Sequence, residues 1–229
     1  MLYIVSTPIG NLKDITLRAL DTLKEVDLIA AEDTRHSKIL LDHYGISKPF
    51  TSFFEHNEDR KTAQIIAMLK EGRKVALISD AGTPGISDPG YPLIRAAQEA
   101  GIAIDVIPGP CALIAALTAS GLAMHSFIFD GFLPVKSGQR RKRLEALKDF
   151  GSTIIVYESP HRVLKTLEDI KDVLDNPMVV CARELTKKFE EIKKATASEL
   201  SEHFMVHAPR GEFVLLIRPI KVSHNQEKE

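Results

Sequence analysis

"LISDAGTPGISDPG" spans Leu77–Gly90, and its reading decides the fold. Val75–Ser79 is a short apolar-to-small run, the pattern of a strand covered on both faces. Directly behind it Asp80, Gly82, Pro84, Gly85, Asp88, Pro89 and Gly90 crowd into one loop. The glycines permit positive φ and close backbone approach, and the prolines hold the rest stiff. A stiff loop behind a parallel strand is where open α/β sheets take their ligands. Asp80, at the strand end, reads as an acceptor for a ribose hydroxyl or an ammonium group, or else as an Asx turn cap. Asp88-Pro89-Gly90 reads as the closing turn.

Outward from this loop the first half alternates strand and helix. Strands are expected at Leu2–Ser6, Leu28–Ala31, Pro49–Phe54, Val75–Ser79 and Ile102–Ile107. Helices are expected over Ile15–Val26 with Asp14 as cap, over Ser37–Tyr44 closing at Gly45, from Asn57 to near Gly72, over Tyr91–Ala100, and over Cys111–Ser120. This alternation predicts a mostly parallel sheet. The second half predicts strands at Phe127–Phe132, Thr153–Tyr157, Met178–Ala182, Glu190–Ala195 and Gly211–Arg218, with helices over Gly138–Phe150, from Ser159 or Pro160 to Leu174, and over Ser198–Phe204. Two consecutive strands near the end predict a mixed sheet. The expected class is therefore two α/β domains, residues 1–120 and 121–222, with a polar tail at 223–229.

Composition narrows the function. The 229 residues are 44% hydrophobic, enough for a sizeable core. A net charge of -1 excludes a generic polyanion binder, so any nucleic-acid contact must come from local patches. No apolar run is long enough to span a bilayer, and Met1–Val5 has no basic region of the signal-peptide kind. Cys111 and Cys181 sit far apart in apolar stretches and read as small buried hydrophobes of a reducing, cytoplasmic protein. Neither the glycine pattern of a dinucleotide fold nor a P-loop is present. His203 and His207 are spaced i,i+4 but lack the Glu and the third ligand of a zinc site, and read as unpaired surface histidines.

Other strands also carry polar loops at their ends. Glu32–Arg35, Pro108–Ala112, Glu158–Arg162 and Arg183–Lys187 each read singly as capped or salt-bridged turns. Together with the Asp80 loop, from both halves, they predict a cleft between two domains. Glu58-Asp59 reads only as a helix start.

"TPIGNLKDIT", "AEDTRHS", "SDAGTPGISDPG", "PGPCA", "GFLP", "YESPHR", "CARELTKKFEE" and "RGEFVLLI" follow one another in order. Their combination resembles the ribosomal RNA small-subunit 2′-O-methyltransferase I group of the tetrapyrrole-methylase-like class III methyltransferases, over Leu2 to Arg218. Ser79 and Ala81 stand where the cobalamin and sirohaem relatives carry Gly and Pro. The resemblance implies S-adenosylmethionine (SAM) held in the interdomain cleft, a homodimer, and methyl transfer to the ribose 2′-oxygen of a cytidine in the decoding region of 16S ribosomal RNA in the small subunit. It assigns Pro8, Asp80, Gly82, Thr83, Pro84, Gly85, Ile86, Cys111, Ala112, Tyr157 and Ala182 to the cofactor. No metal or membrane is implied.

SAM carries an activated methyl group, so the protein must align the acceptor and assist loss of its hydroxyl proton. Glu32, Asp33, Arg35, Glu158, Arg162, Arg183, Glu184 and Lys187 are candidates for the proton step, and Glu158, directly behind a strand, is the expected base. Its pairing with Arg162 as a helix-start salt bridge is the competing reading. Arg140, Arg141 and Arg143, in the densest basic run, are expected on RNA phosphates, with Arg35, Arg162 and Arg183 beside the loops. Such runs also form plain solvated helix faces. The alternative functions are a precorrin- or uroporphyrinogen-type C-methyltransferase and a non-catalytic SAM- or nucleotide-binding module.

Overall fold

Short apolar runs separated by turn residues become the strands of two sheets in the computed structural model, which describes residues 1–219. The polar tail assigned to residues 223–229 lies outside the described residues. The first sheet contains β1 (Leu2–Val5), β2 (Leu28–Ala31), β3 (Phe50–Ser52), β4 (Val75–Ile78) and β5 (Ile104–Ile107). All its pairings are parallel, in the order β3-β2-β4-β1-β5. The connecting helices are α1 (Leu17–Glu25), α2 (Thr34–His43), α3 (Glu58–Lys70) and α4 (Tyr91–Glu99).

The chain leaves β1 toward the β3 edge and leaves β4 toward the β5 edge. Crossovers of one hand then put α1 and α2 on one face and α3 and α4 on the other. The cores agree. Val5, Ile29, Ala31, Ala76 and Ile78 pack with Ala19, Leu23, Leu40 and Leu41. Leu2, Ile4, Ala30, Val75 and Leu77 pack with Ile65, Leu69, Leu93 and Ala97. The loops behind β1 and β4, adjacent central strands, thus diverge to opposite faces, which opens a crevice at the strand ends.

The second sheet contains β6 (Phe127–Phe132), β7 (Thr153–Glu158), β8 (Met178–Arg183), β9 (Glu191–Thr196) and β10 (Phe213–Arg218). Its order is β6-β7-β10-β8-β9, with β6 parallel to β7 and the other pairs antiparallel, the expected mixed sheet. One face carries α6 (Ser137–Lys148), α7 (Val163–Val173) and α8 (Ala197–Val206) over Ile154, Val156, Val179, Cys181 and Leu215. The other face is covered by α5 (Ala112–Ser120), which packs on β7, β8, β9 and β10.

The chain divides into two compact units between Cys111 and Ala112, not at the expected Gly121. The reason is α5. Its sequence ALIAALTAS is apolar nearly all round, and such a helix must be buried. The open sheet face of the second unit takes it. Local capping also differs from expectation. Asp14 lies in a short 3-10 turn, Leu12–Asp14, and Thr16 caps α1 by accepting from the Ala19 N–H at 3.1 Å. Helix α2 starts at Thr34, three residues before the expected Ser37, because Asp33 caps it. Asn57 makes no cap bond; its side chain bonds Phe54 and Ser52 instead.

Candidate functional site

The loops behind β1, β4 and β5 are laced together within the first unit. Thr7 and Gly82 exchange backbone hydrogen bonds of 2.8 and 3.0 Å. The Thr7 hydroxyl donates to the Ser79 carbonyl at 3.0 Å. The Thr83 hydroxyl donates to the Pro110 carbonyl at 3.3 Å and shares a 3.0 Å bond with the Ser6 hydroxyl. Gly82 sits at φ +83°, where an L side chain is strained. A Cβ on Gly109 would lie 2.9 Å from Ser6 Cβ, so only glycine lets the β5 loop lie against β1.

Asp80 is not an Asx cap of its own turn. Its Oδ1 accepts from the Asp33 N–H at 3.0 Å, across to the loop behind β2. Its own N–H points to Glu32 Oε2 at a long 3.4 Å. Burial and the neighbouring Asp80 charge raise the Glu32 pKa above its ordinary value. Asp33 is held well below the usual carboxylate range by the Arg35 guanidinium, at 2.7 and 3.1 Å, and by the Arg35 N–H. At the other end of the loop the Glu58 carboxylate accepts from the Gly90 N–H at 2.9 Å. Glu58 therefore does more than start a helix. Nothing in its local sequence shows this; only its place behind β3, at a strand's carboxyl end, was a signal.

The other expected cofactor residues divide between the units. Pro8 and Pro84 are buried beside the laced loops. Gly85 sits at φ +84°, and Ile86 closes a turn onto the Thr83 carbonyl. Cys111 is half-buried and Ala112 begins α5. In the second unit the Tyr157 hydroxyl accepts from the Leu113 N–H at 3.2 Å, an orphan donor of the first turn of α5. Ala182 is fully buried in β8.

Three expectations are corrected. Glu158 is not placed as a base: its side chain has 0% exposure. One oxygen accepts from the Ser159 N–H at 2.8 Å and the other from the Thr166 hydroxyl at 2.6 Å, so it anchors the start of α7. Arg162 Nε lies 3.3 Å from Glu158, near enough for an ion pair but off the line of a hydrogen bond. Its Nη2 donates to the Leu133 and Pro134 carbonyls, so Arg162 is fixed to its own unit rather than held out to RNA. Arg140 is only 3% exposed. It is bound to Asp169 at 2.6 and 2.7 Å and donates to the Val135 carbonyl at 3.1 Å. Burial in this network, not phosphate binding, accounts for it.

The remaining arginines are differently placed. Arg35 is 90% exposed. Arg141 pairs with Asp169 and Asp172, and Arg143 with Asp130, each staying near half-exposed. Arg183 pairs with Glu191 at 3.0 Å and is mostly covered. His203 is not unpaired: its Nε2 meets Glu191 at 3.0 Å, and its ring stacks on His207. Among the described residues no three His, Cys, Asp or Glu side chains gather as a metal site, and no helix is long and apolar enough to cross a membrane.

The hairpin loop between β8 and β9 is strained. Glu184 and the β-branched Thr186 both adopt positive φ, at 51° and 65°. Burial alone would raise the Glu184 pKa, but the Lys187 ammonium at 2.9 Å and the Glu212 N–H at 3.0 Å outweigh it and lower it. Lys187 in turn is held protonated between Glu184 and Glu212. Gly211 lies over the Glu184 carboxylate with no room for a Cβ.

The family model for tetrapyrrole (corrin/porphyrin) methylases matches residues 1–201. Among curated proteins, the ribosomal RNA small subunit methyltransferase I of Haemophilus influenzae is 52% identical over 231 aligned residues, 100% of this chain and 82% of its own. The protein of the same name from Thermotoga maritima is 48% identical, covering 94% of this chain and 97% of its own. Solved structures with the same fold include cobalt precorrin-4 methyltransferase, with TM-score 0.69 and 20% identity over 94% of this chain and 93% of that one. Diphthine synthase gives TM-score 0.75 at 14% identity, over 95% and 89%.

Proposed function

The chain belongs to the tetrapyrrole methylase family, and within it we propose that it is a SAM-dependent methyltransferase of small-subunit ribosomal RNA, acting on the ribose 2′-hydroxyl of a cytidine in the decoding region of 16S rRNA. One observation carries this reading: identity near 50% along the whole chain to relatives named as methyltransferases of small-subunit ribosomal RNA, against 20% to a tetrapyrrole enzyme of the same fold. The low identity supports the fold alone. We further read the protein as a cytoplasmic homodimer.

The laced loops fit SAM. Asp80 Oδ1 is engaged by Asp33, while Oδ2 accepts nothing among the described residues and suits a ribose hydroxyl or an ammonium group. Among the described residues no backbone bond engages the Thr83 or Gly85 N–H groups, which leaves donors along a loop whose glycines permit close approach. Pro8, Gly82 to Ile86 and Cys111 are the cofactor residues proposed in the first unit, and Ala112, Tyr157 and Ala182 those proposed in the second. SAM, when bound, supplies the activated methyl group. The chain's part is to hold the ribose in line and keep water out. Lys187, held protonated, serves as a fixed cation and not as a base. Arg35, Arg141 and Arg143 are the proposed phosphate contacts, since each keeps an exposed guanidinium.

The test is transfer of labelled methyl from SAM to small subunits lacking the modification, followed by nucleoside analysis. The expected product is 2′-O-methylcytidine. Label absent from RNA, with SAM binding demonstrated, would refute the substrate; label in a tetrapyrrole acceptor would support the C-methyltransferase reading.

A further inference from the structure

A cavity of about 620 Å³ opens at the carboxyl ends of β2, β3 and β4, within the first unit. Its wall includes Glu32 behind β2, Phe54, His56 and Glu58 behind β3, and Asp88 and Tyr91 behind β4. It shares Ser87–Gly90 with the far end of the proposed cofactor loop. The volume is in the range of small-ligand sites and ample for one nucleotide.

The lining chemistry is selective. Glu32, Glu55, Glu58 and Asp88 are among its lining residues, and no Lys or Arg is among the described residues that line it. Such a wall repels phosphates and carboxylate-bearing macrocycles alike. It accepts groups that donate hydrogen bonds. Glu58 is already engaged by the Gly90 N–H. Among the described residues Glu32 meets only the long contact from the Asp80 N–H through Oε2, which leaves Oε1 to accept. The rim is aromatic: Phe54 and His56 meet edge to face at 6.4 Å, and Tyr91 is 67% exposed. Unstacked RNA bases are held by aromatic faces and read along their polar edges. Carboxylates read the exocyclic amine of cytosine.

We infer that this cavity receives the target base, a cytosine turned out of the RNA stack, with Glu32 accepting from its amino group and Tyr91 or the Phe54–His56 pair supplying the stacking face. The inference rests on the RNA reading above and adds the determinant of base choice. Phosphates stay outside, toward the exposed Arg35. The raised pKa of Glu32 agrees with a carboxylate partly withdrawn from water.

The test compares small subunits carrying cytidine or uridine at the target position, with wild type, Glu32→Gln and Tyr91→Ala. Uracil offers a carbonyl where cytosine offers the amine. A glutamine can donate to that carbonyl, so the variant should lose discrimination. Wild type should favour cytidine by about 10- to 100-fold in kcat/KM. Glu32→Gln should shrink that ratio about tenfold with SAM affinity unchanged, which a merely structural role for Glu32 would not do. Tyr91→Ala, at an exposed position, should lower kcat/KM for cytidine about tenfold by loss of stacking. If Glu32→Gln folds poorly, His56→Ala and Tyr91→Ala still test the pocket. An unchanged cytidine-to-uridine ratio in Glu32→Gln, or full activity in both aromatic-rim variants, overturns the inference and leaves the RNA reading standing. No methyl in RNA from wild type overturns both.

Discussion

Replacing Arg140 with methionine separates a structural arginine from an RNA contact. Arg140 sits in α6 with its guanidinium on Asp169 of α7, and both are nearly inaccessible. Methionine fills similar volume and strips two charge-assisted bonds to Asp169 and one to the Val135 carbonyl. Breaking a buried pair from one side costs about 3–5 kcal/mol, because the remaining charge is stranded. Asp169 here keeps the Ser137 hydroxyl at 2.9 Å and the half-exposed Arg141 at 3.2 Å. The loss therefore falls at the lower end, about 3 kcal/mol. With a urea dependence of about 1–3 kcal/mol per molar, the second unit's unfolding midpoint drops by about 1–3 M. Adding Asp169→Leu removes the stranded charge and should recover most of that loss. Urea unfolding followed by hydrogen exchange in α6 and α7 reads the effect. A stable Arg140→Met protein with weakened RNA binding would refute the reasoning and restore Arg140 as a phosphate contact.

Burial, and then Glu191, push the Cys181 thiol up to about 12, whereas Cys111 is half-buried beside the proposed cofactor loop. A thiol reagent at pH 8 should label Cys111 alone in the native protein, and saturating SAM should slow it; two fast thiols would contradict this placement. Because the folded state raises the Glu32 pKa, it binds that proton more tightly than the unfolded chain, and stability falls as pH rises from the ordinary 4.5 through the raised value. Glu32→Gln should therefore melt above wild type at pH 7, with the gap closing toward pH 4 in thermal scans. Neutralising Arg35, Arg141 and Arg143 should weaken binding to small subunits and lower the salt slope, by about 0.7–0.9 per lost contact, with SAM affinity unchanged; an unchanged slope would remove them from the interface.

How much of this was legible in the sequence depends on the range of the contacts. The strands were readable because each is a local apolar run, as in Val75–Ile78 and Phe213–Arg218. The Asp80 loop was readable because turn residues crowd it. Glu158 misled because the run Thr153–Tyr157 is apolar on both faces and hides its alternation. Ile154 and Val156 face the helix layer, so Glu158, two positions on, points there too, while Tyr157 points to the α5 side. Its partner Thr166 lies eight residues away and carries no motif. Arg140 had a usable signal: with Leu144 and Leu147 it shares the buried stripe of α6. Its partner, 29 residues distant, did not. The acidic cavity drew on three separate loops, and no one of them shows it alone.

The two carboxylates that frame the central loop acquire a common role in the structure. Asp80 ties its start to the Asp33 N–H behind β2, and Glu58 reaches from α3 to the Gly90 N–H at its end. Between them Gly82 is bridged to Thr7, and Thr83 to Ser6 and Pro110. Contacts from the loops behind four other strands thus hold one eleven-residue segment (80–90) whose own residues form neither helix nor strand. A mobile loop of that length must lose its conformational freedom on binding, at about 1–2 kcal/mol per residue ordered. Here folding has already imposed that order, so a ligand meets donors and acceptors in place. The same anchors make the proposed base cavity and the proposed cofactor loop one rigid neighbourhood. Gly90 belongs to both, and a Cβ there would meet Leu77 at 3.1 Å and the Gly85 nitrogen at 3.3 Å. A methyl transfer that tolerates little misalignment between acceptor and donor is served by placing both on one such piece of backbone.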